Sequence, residues 1–306
     1  MLFREHSCAG LRNRLALVAF SILLFLCAFH LSTFAGEAPP LIHGLWVWKS
    51  PSVLEAPHGA EVLRDFCRSQ GVNEVYVSIS ERSEAAEESR LIRLIALLHR
   101  SNIHVEALLS SADADEPGKH RETLLWHVQD IIQFNQKHST DRFDGIHLDI
   151  EPQQRPENKG AGNLRFLTGL TDAFRAVRAV AEPAGMTVNA DIQNKLLKGD
   201  SSERKMLLAA APQVTLMMYE LSSPGDGESV EEKAEKVQKE SQKYLDMAYA
   251  GLADPNLARM AIALRTPDYG DLLPQMLKRL DDSNRANPHY LGSARHSYND
   301  VLKAAP

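Results

Sequence analysis

The sequence predicts a single-domain (β/α)₈ barrel over residues 36–306, and three observations carry that expectation. Eight short apolar or alternating runs follow one another, amphipathic helical patterns separate them, and no linker, low-complexity tract or internal repeat interrupts residues 41–306. Strand followed by helix, eight times over, is the order that closes a parallel barrel. The competing arrangement is an open doubly wound sheet, whose usual partner is a Gly-rich phosphate turn after the first strand. Lys49-Ser50-Pro51-Ser52 stands there instead, and neither G-x-G-x-x-G nor G-x-x-x-x-G-K-[ST] occurs in the chain. Barrels routinely use roughly 200 to 250 residues as one domain, so length requires no second one.

The elements follow in order. Gly44–Trp48 is the first strand, an unbroken apolar run, and Ala60–Gln70 its helix. Glu74–Ile79 alternates as a second strand and leads into the helical pattern of Glu87–His99. His104–Leu109 is the third, followed by Arg121–Lys137, where Trp126 falls within the apolar pattern beside Leu125 and Val128 and is expected to pack in the core. Gly145–Glu151 is the fourth. Its helix is the clearest of all: Leu167, Leu170, Phe174, Val177 and Ala181 recur at i, i+3, i+4 spacing until Pro183 and Gly185 end it. Met186–Asp191 and Val214–Tyr219 are the fifth and sixth strands, and Ser222–Gly227 reads as a loop. Val230–Ala250, Met260–Leu264, Leu272–Leu280 and Tyr290–Ala294 complete the alternation.

Residues 1–35 stand apart from this pattern. Arg4, Arg12 and Arg14 precede the apolar run Leu15–Leu31, and small residues such as Ala35 and Ala38 follow, which is the order of a secretory signal peptide. A secreted or periplasmic chain is expected, with a retained N-terminal anchor as the alternative, since a 17-residue run with His30 near its end sits at the short edge of a bilayer span. Cleavage takes three Arg and one Glu away and moves the net charge from −6 to −8. Of three cysteines only Cys67 then remains, which suits an oxidising compartment, and its helical apolar setting marks it as a small buried hydrophobe. An acidic balance of 40 Asp plus Glu against 34 Lys plus Arg argues against nucleic acid as a partner. With 44% apolar and 24% charged residues, the composition is that of a globular protein.

Chemistry concentrates in Phe143-Asp144-Gly145-Ile146-His147-Leu148-Asp149-Ile150-Glu151-Pro152. Alternate residues on a strand share a face, so His147, Asp149 and Glu151 point one way and Ile146, Leu148 and Ile150 the other. In a barrel the aliphatic row meets the helices and the polar row enters the lumen, ending at the carboxyl rim where barrel active sites sit. Glu151, last in that row, is where an acid meets substrate.

This stretch resembles the fourth strand of glycoside hydrolase family 18, the chitinases and endo-β-N-acetylglucosaminidases, whose pattern is D-x-x-D-x-D-x-E. Asp144, Asp149 and Glu151 match it, and His147 takes the place of the middle Asp. Met217-Met218-Tyr219-Glu220 is similar to the family's M-x-Y-D on strand six, while the Trp that usually closes strand eight is replaced in Gly292-Ser293-Ala294-Arg295-His296. The resemblance implies substrate-assisted hydrolysis of N-acetylhexosamine-containing oligo- or polysaccharides without a cofactor. Glu151 is then the general acid, Asp149 holds the acetamide and steadies the charge on the cyclised intermediate, and Tyr219 hydrogen-bonds the same group. His147, Asp191, Glu220, Arg265 and Trp48 are the expected substrate-binding residues. A neutral His147 donates one hydrogen bond, whereas a protonated one favours ionised Asp149.

Other readings of the same residues stay open. Glu151-Pro152 matches the acid of retaining barrels that carry a nucleophilic Glu on strand seven, but Ala263-Leu264-Arg265-Thr266-Pro267 offers none, leaving Asp191 or Glu220 as the second carboxylate. His147, Asp149 and Glu151 are also metal-ligand types, yet neighbours two apart on a strand are about 6.6 Å apart, so one ion needs help from Glu106 or His104. A non-catalytic sugar-binding barrel or a purely stabilising polar lumen are the remaining alternatives. Trp46 and Trp48 share one face of strand one: they either line the lumen, where Trp48 can stack on a sugar ring, or pack beneath helices.

Overall fold

Residues 40–79, 85–158, 166–219 and 228–304 are described by a computed structural model. The eight strands are β1 (Ile42–Val47), β2 (Glu74–Ser78), β3 (His104–Ser111), β4 (Gly145–Ile150), β5 (Thr187–Gln193), β6 (Gln213–Met217), β7 (Arg259–Arg265) and β8 (Tyr290–His296). Each pairs in parallel with its sequence neighbours, and β1 pairs with β8 to close the barrel. Helices α1 (Ser50–Leu54) and α2 (Gly59–Gln70) follow β1, α3 (Ala85–His99) follows β2, and α4 (Lys119–Lys137) follows β3. The remaining crossovers carry α5 (Leu167–Ala181), α6 (Ser201–Leu208), α7 (Val230–Tyr249), then α8 (Thr266–Tyr269) with α9 (Leu273–Asn284), and α10 (Tyr298–Ala304) follows β8.

The barrel agrees with the expected order, and the differences have physical causes. Trp48, Glu151 and Tyr219, expected as strand residues, lie just past their ladders, while β3, β5 and β8 run on through Ser110-Ser111, Ile192-Gln193 and Arg295-His296. Backbone pairing does not require an apolar side chain, so hydropathy misplaces strand ends. Helix α6 has no strong apolar stripe; a capping box starts it, Asp200 accepting from the Ser202 and Glu203 amides and Glu203 returning to the Asp200 amide. Trp126 contradicts its expected core role: it is 66% exposed, on the solvent side of α4, while Leu124, Val128, Ile131 and Ile132 face inward. Cys67 is buried as expected, and burial pushes its thiol up to about 12, far from a reactive thiolate.

Two layers of side chains result. Outward strand residues such as Leu45, Val75, Val105, Ile146, Val188, Val214 and Ile262 pack under the helices in one continuous core. The lumen holds a smaller apolar group of Trp46, Tyr76, Leu108, Ala263 and Ala294, which settles that β1 turns its tryptophans inward. Two glycines make room there. A Cβ on Gly44 would lie 2.5 Å from the Tyr76 hydroxyl, and one on Gly145 would lie 2.7 Å from Glu106 Oε1. The large inward groups of β2 and β3 therefore depend on bare backbone in the adjacent strands. Among the described residues no helix is long and apolar enough to cross a membrane; residues 1–35 lie outside them.

Candidate active site

The inward row of β4 climbs from His147 through Asp149 to Glu151, and each rung meets a different environment. His147 is fully buried and sits between two carboxylates from the flanking strands: Nδ1 is 3.0 Å from Glu106 Oε2 on β3, and Nε2 is 2.9 Å from Asp191 Oδ1 on β5. Its ring stacks on Tyr76 at 3.7 Å between centroids. Both nitrogens face carboxyl oxygens, and as imidazolium the ring donates to both. Burial opposes that charge, but Asp191 and Glu106 outweigh it and raise the His147 pKa to about 10. Asp191 also accepts from the Trp46 indole N–H at 3.1 Å, and Glu106 from the Asn189 amide.

One rung higher, Asp149 is 4% exposed and its Oδ1 has no hydrogen-bond partner among the described residues. Burial holds its pKa well above the usual carboxylate range, the negative charges of Asp191 and Glu151 add to this, and His147 opposes it. Burial among these carboxyl groups therefore favours the protonated form of Asp149. Glu151 stands at the rim just after β4. It accepts from Gln193 Nε2 at 2.9 Å, from Gln153 Nε2 at 2.8 Å and from Gln154. Burial raises its pKa, the Gln193 bond pulls the other way, and Asp191 raises it further.

An aromatic wall closes the opposite side. The Trp48 indole N–H donates to His296 Nε2 at 2.8 Å, so that nitrogen carries the lone pair and the ring proton sits on Nδ1. Tyr219 meets the His296 ring at 5.0 Å between centroids, and burial pushes its hydroxyl well above the usual tyrosine range, keeping it a neutral donor. His296 therefore fills, beside Trp46 and Trp48, the end of β8 where the resemblance expected a Trp.

The expected site residues divide accordingly. Glu151, Asp149, His147, Asp191, Tyr219 and Trp48 come together at the carboxyl end of the lumen. Asp191 is committed to His147 and Trp46, so it stands as a charge partner beneath the site. Arg265 lies over the Tyr219 ring at 5.8 Å but is held by a forked pair to Asp268, at 3.0 and 2.6 Å. Glu220 lies outside the described residues. Asp144, which matches the motif, is outside the lumen: it accepts from His99 Nε2 at 2.9 Å and from the Val105 amide at 2.8 Å, tying α3 and β3 to the start of β4. Gln193 and His296 were not anticipated, although each sits two residues beyond an inward position and so shares its face. Among the described residues no three His, Cys, Asp or Glu are placed to share a metal ion.

The architecture is a closed parallel barrel with carboxyl groups at its carboxyl rim, the end where barrel active sites sit. No family model matches the chain, and no curated protein matches it. Solved structures do share its fold. A glycoside hydrolase family 5 mannosidase from Rhizomucor miehei superposes with a TM-score of 0.59 at 11% identity, over 85% of this chain and 81% of that one. An exo-β-1,4-mannosidase from an Opitutaceae bacterium gives 0.56 at 13% identity, over 86% of this chain. The chain spans about half of that enzyme, 53% of its length. A chitinase from Bacteroides thetaiotaomicron gives 0.51 at 12% identity, over 86% of this chain and 93% of that one. At such identities the likeness is one of fold.

Proposed function

We propose that the protein is a secreted glycoside hydrolase acting on N-acetylhexosamine-containing glycans by substrate-assisted acid catalysis. The observation that carries this reading is the pairing of Glu151 at the rim with Asp149 directly below it, both with raised pKa values, and a buried Asp149 Oδ1 that has no hydrogen-bond partner among the described residues. An acetamide supplies the missing contact. Glu151, its pKa raised toward working pH, gives its proton to the glycosidic oxygen, while the acetamide oxygen of the same sugar attacks the anomeric carbon. Asp149 accepts the acetamide N–H through its unpartnered Oδ1, a contact that strengthens as positive charge develops on the cyclised ring and the glycosidic C–O bond breaks, the leaving sugar keeping the Glu151 proton. Tyr219 donates to the same group, and Trp48 offers an indole face to the pyranose.

A two-carboxylate mechanism draws no support from the described residues: the lumen face of β7 presents Ala261, Ala263 and Arg265, and Asp191 is engaged by His147 at 2.9 Å and Trp46 at 3.1 Å. A non-catalytic sugar-binding role draws support from one observation, the three Gln amides donating to Glu151, since donors of that kind favour its ionised form. Hydrolysis of chito-oligosaccharides and of mannan by the wild type and Glu151→Gln separates these readings. The proposal expects cleavage of the former alone and a loss of roughly 10² to 10⁴ in the variant. Mannan cleavage without chito-oligosaccharide cleavage overturns the acetamide role, and binding without any cleavage leaves the sugar-binding reading.

A further inference from the structure

On the outer wall of the barrel, away from the rim, β8 carries a second charged group that nothing in the proposed reaction uses. His296 points into the lumen, so Arg295, one residue earlier, points between the strands and the helices. It is 6% exposed. Its Nη2 donates to Gln70 Oε1 at 2.9 Å at the end of α2, the guanidinium lies over the Phe66 ring at 5.3 Å, and its Nε has no hydrogen-bond partner among the described residues. An uncompensated guanidinium is costly to bury, and burial does draw the Arg295 pKa down.

Arg295 lines a cleft of about 310 Å³ between α2 and α9, at the lower limit of small-molecule sites. The acidic groups in that cleft are already satisfied. Asp281 accepts from the Tyr290 hydroxyl at 2.6 Å and the Ser293 hydroxyl at 3.1 Å, with His43 Nε2 at 3.2 Å. Asp282 pairs with Lys278 at 2.6 Å. Arg285, exposed at the mouth, and Arg295, buried at the back, form no ion pair among the described residues. Two guanidinium groups outside any ion pair among the described residues therefore line one small cleft, Arg285 close enough to Asp282 to lower its pKa, and the fork is the donor geometry that matches the paired oxygens of a carboxylate or phosphate.

We propose that this cleft binds a small ligand through an anionic group, the carboxylate of a sugar acid or a phosphate, held between Arg295 and Arg285. The site is separate from the lumen and does not depend on the hydrolase reading. It is tested by isothermal titration of the full chain with inorganic phosphate, glucuronate and glucose at matched ionic strength. One saturable site is expected for phosphate or glucuronate and none for glucose, and the anion that binds identifies the ligand class. Affinity should fall roughly 10- to 100-fold in Arg285→Ala, as expected for loss of a charged hydrogen bond. Arg295→Gln should weaken binding at least as much; if that variant does not fold, exposed Arg285 still carries the test. Absence of a saturable site for both anions, or affinity unchanged in Arg285→Ala, overturns the proposal.

Discussion

Replacing His147 with Asn tests the electrostatics of the lumen most directly. The folded-state pKa is about 10 against an ordinary value of 6.5, so the folded protein holds the proton more tightly than the unfolded chain. That contribution is fully present below about pH 6.5 and is lost as pH rises through 10. Linkage gives about 4 kcal/mol at pH 7 and less than about 0.5 kcal/mol at pH 10, with no solvent to screen the pair. Asn also leaves Glu106 and Asp191 buried without their counter-charge, a loss of about 3 to 5 kcal/mol where both carboxylates remain ionised. Urea unfolding of the wild type and His147→Asn between pH 6.5 and 10 measures this. The variant should be less stable by about 3 to 5 kcal/mol at pH 7, and the gap should close as the wild type loses its proton. If the variant does not fold, the pH slope of the wild type together with NMR titration of the His147 ring nitrogens gives the same answer. A gap that is equally wide at pH 7 and pH 10, or a ring that titrates near 6.5, refutes a buried imidazolium.

Three further outcomes are expected. A thiazoline mimic of the cyclised intermediate should bind far more tightly than the plain N-acetylated sugar, and calorimetry should show Asp149→Ala costing about 1.5 to 3 kcal/mol of that binding and Tyr219→Phe less; equal affinity for mimic and sugar counts against acetamide participation. Gly145→Ala should cost about 1 to 3 kcal/mol in denaturant unfolding, because its Cβ would come within 2.7 Å of Glu106 Oε1 and 2.3 Å of Thr187 Oγ1; an unchanged midpoint would show that the Glu106 carboxyl yields freely. N-terminal sequencing of exported protein should find the chain beginning between Gly36 and Pro39, and a start at Met1 excludes cleavage.

The barrel and the polar row of β4 were legible in the sequence because both depend on periodicity. Alternation at two residues fixes which side chains share a face, and helical spacing fixes which elements intervene. His147, Asp149 and Glu151 were thereby assigned to one lumen face, and Glu151 to the rim. Local pattern also found the clear amphipathic helices, but it missed α6, whose start is set by the capping box at Asp200 and Glu203. It misjudged Trp126, since an indole beside Leu125 and Val128 looks apolar whichever way α4 turns it.

What only the tertiary structure decided is the company each inward residue keeps. Whether His147 is neutral or charged follows from Glu106, 41 positions earlier, and Asp191, 44 later, meeting its two nitrogens in the closed barrel. The same closure commits Asp191 to His147 and Trp46, raises the Asp149 pKa beside it, and brings His296 to Trp48 across the β1–β8 seam. Sequence by itself determines which face a residue lies on, because that is a property of one strand. The charge a residue carries depends on burial and on neighbours from other strands, and those distances exist only once the sheet has closed.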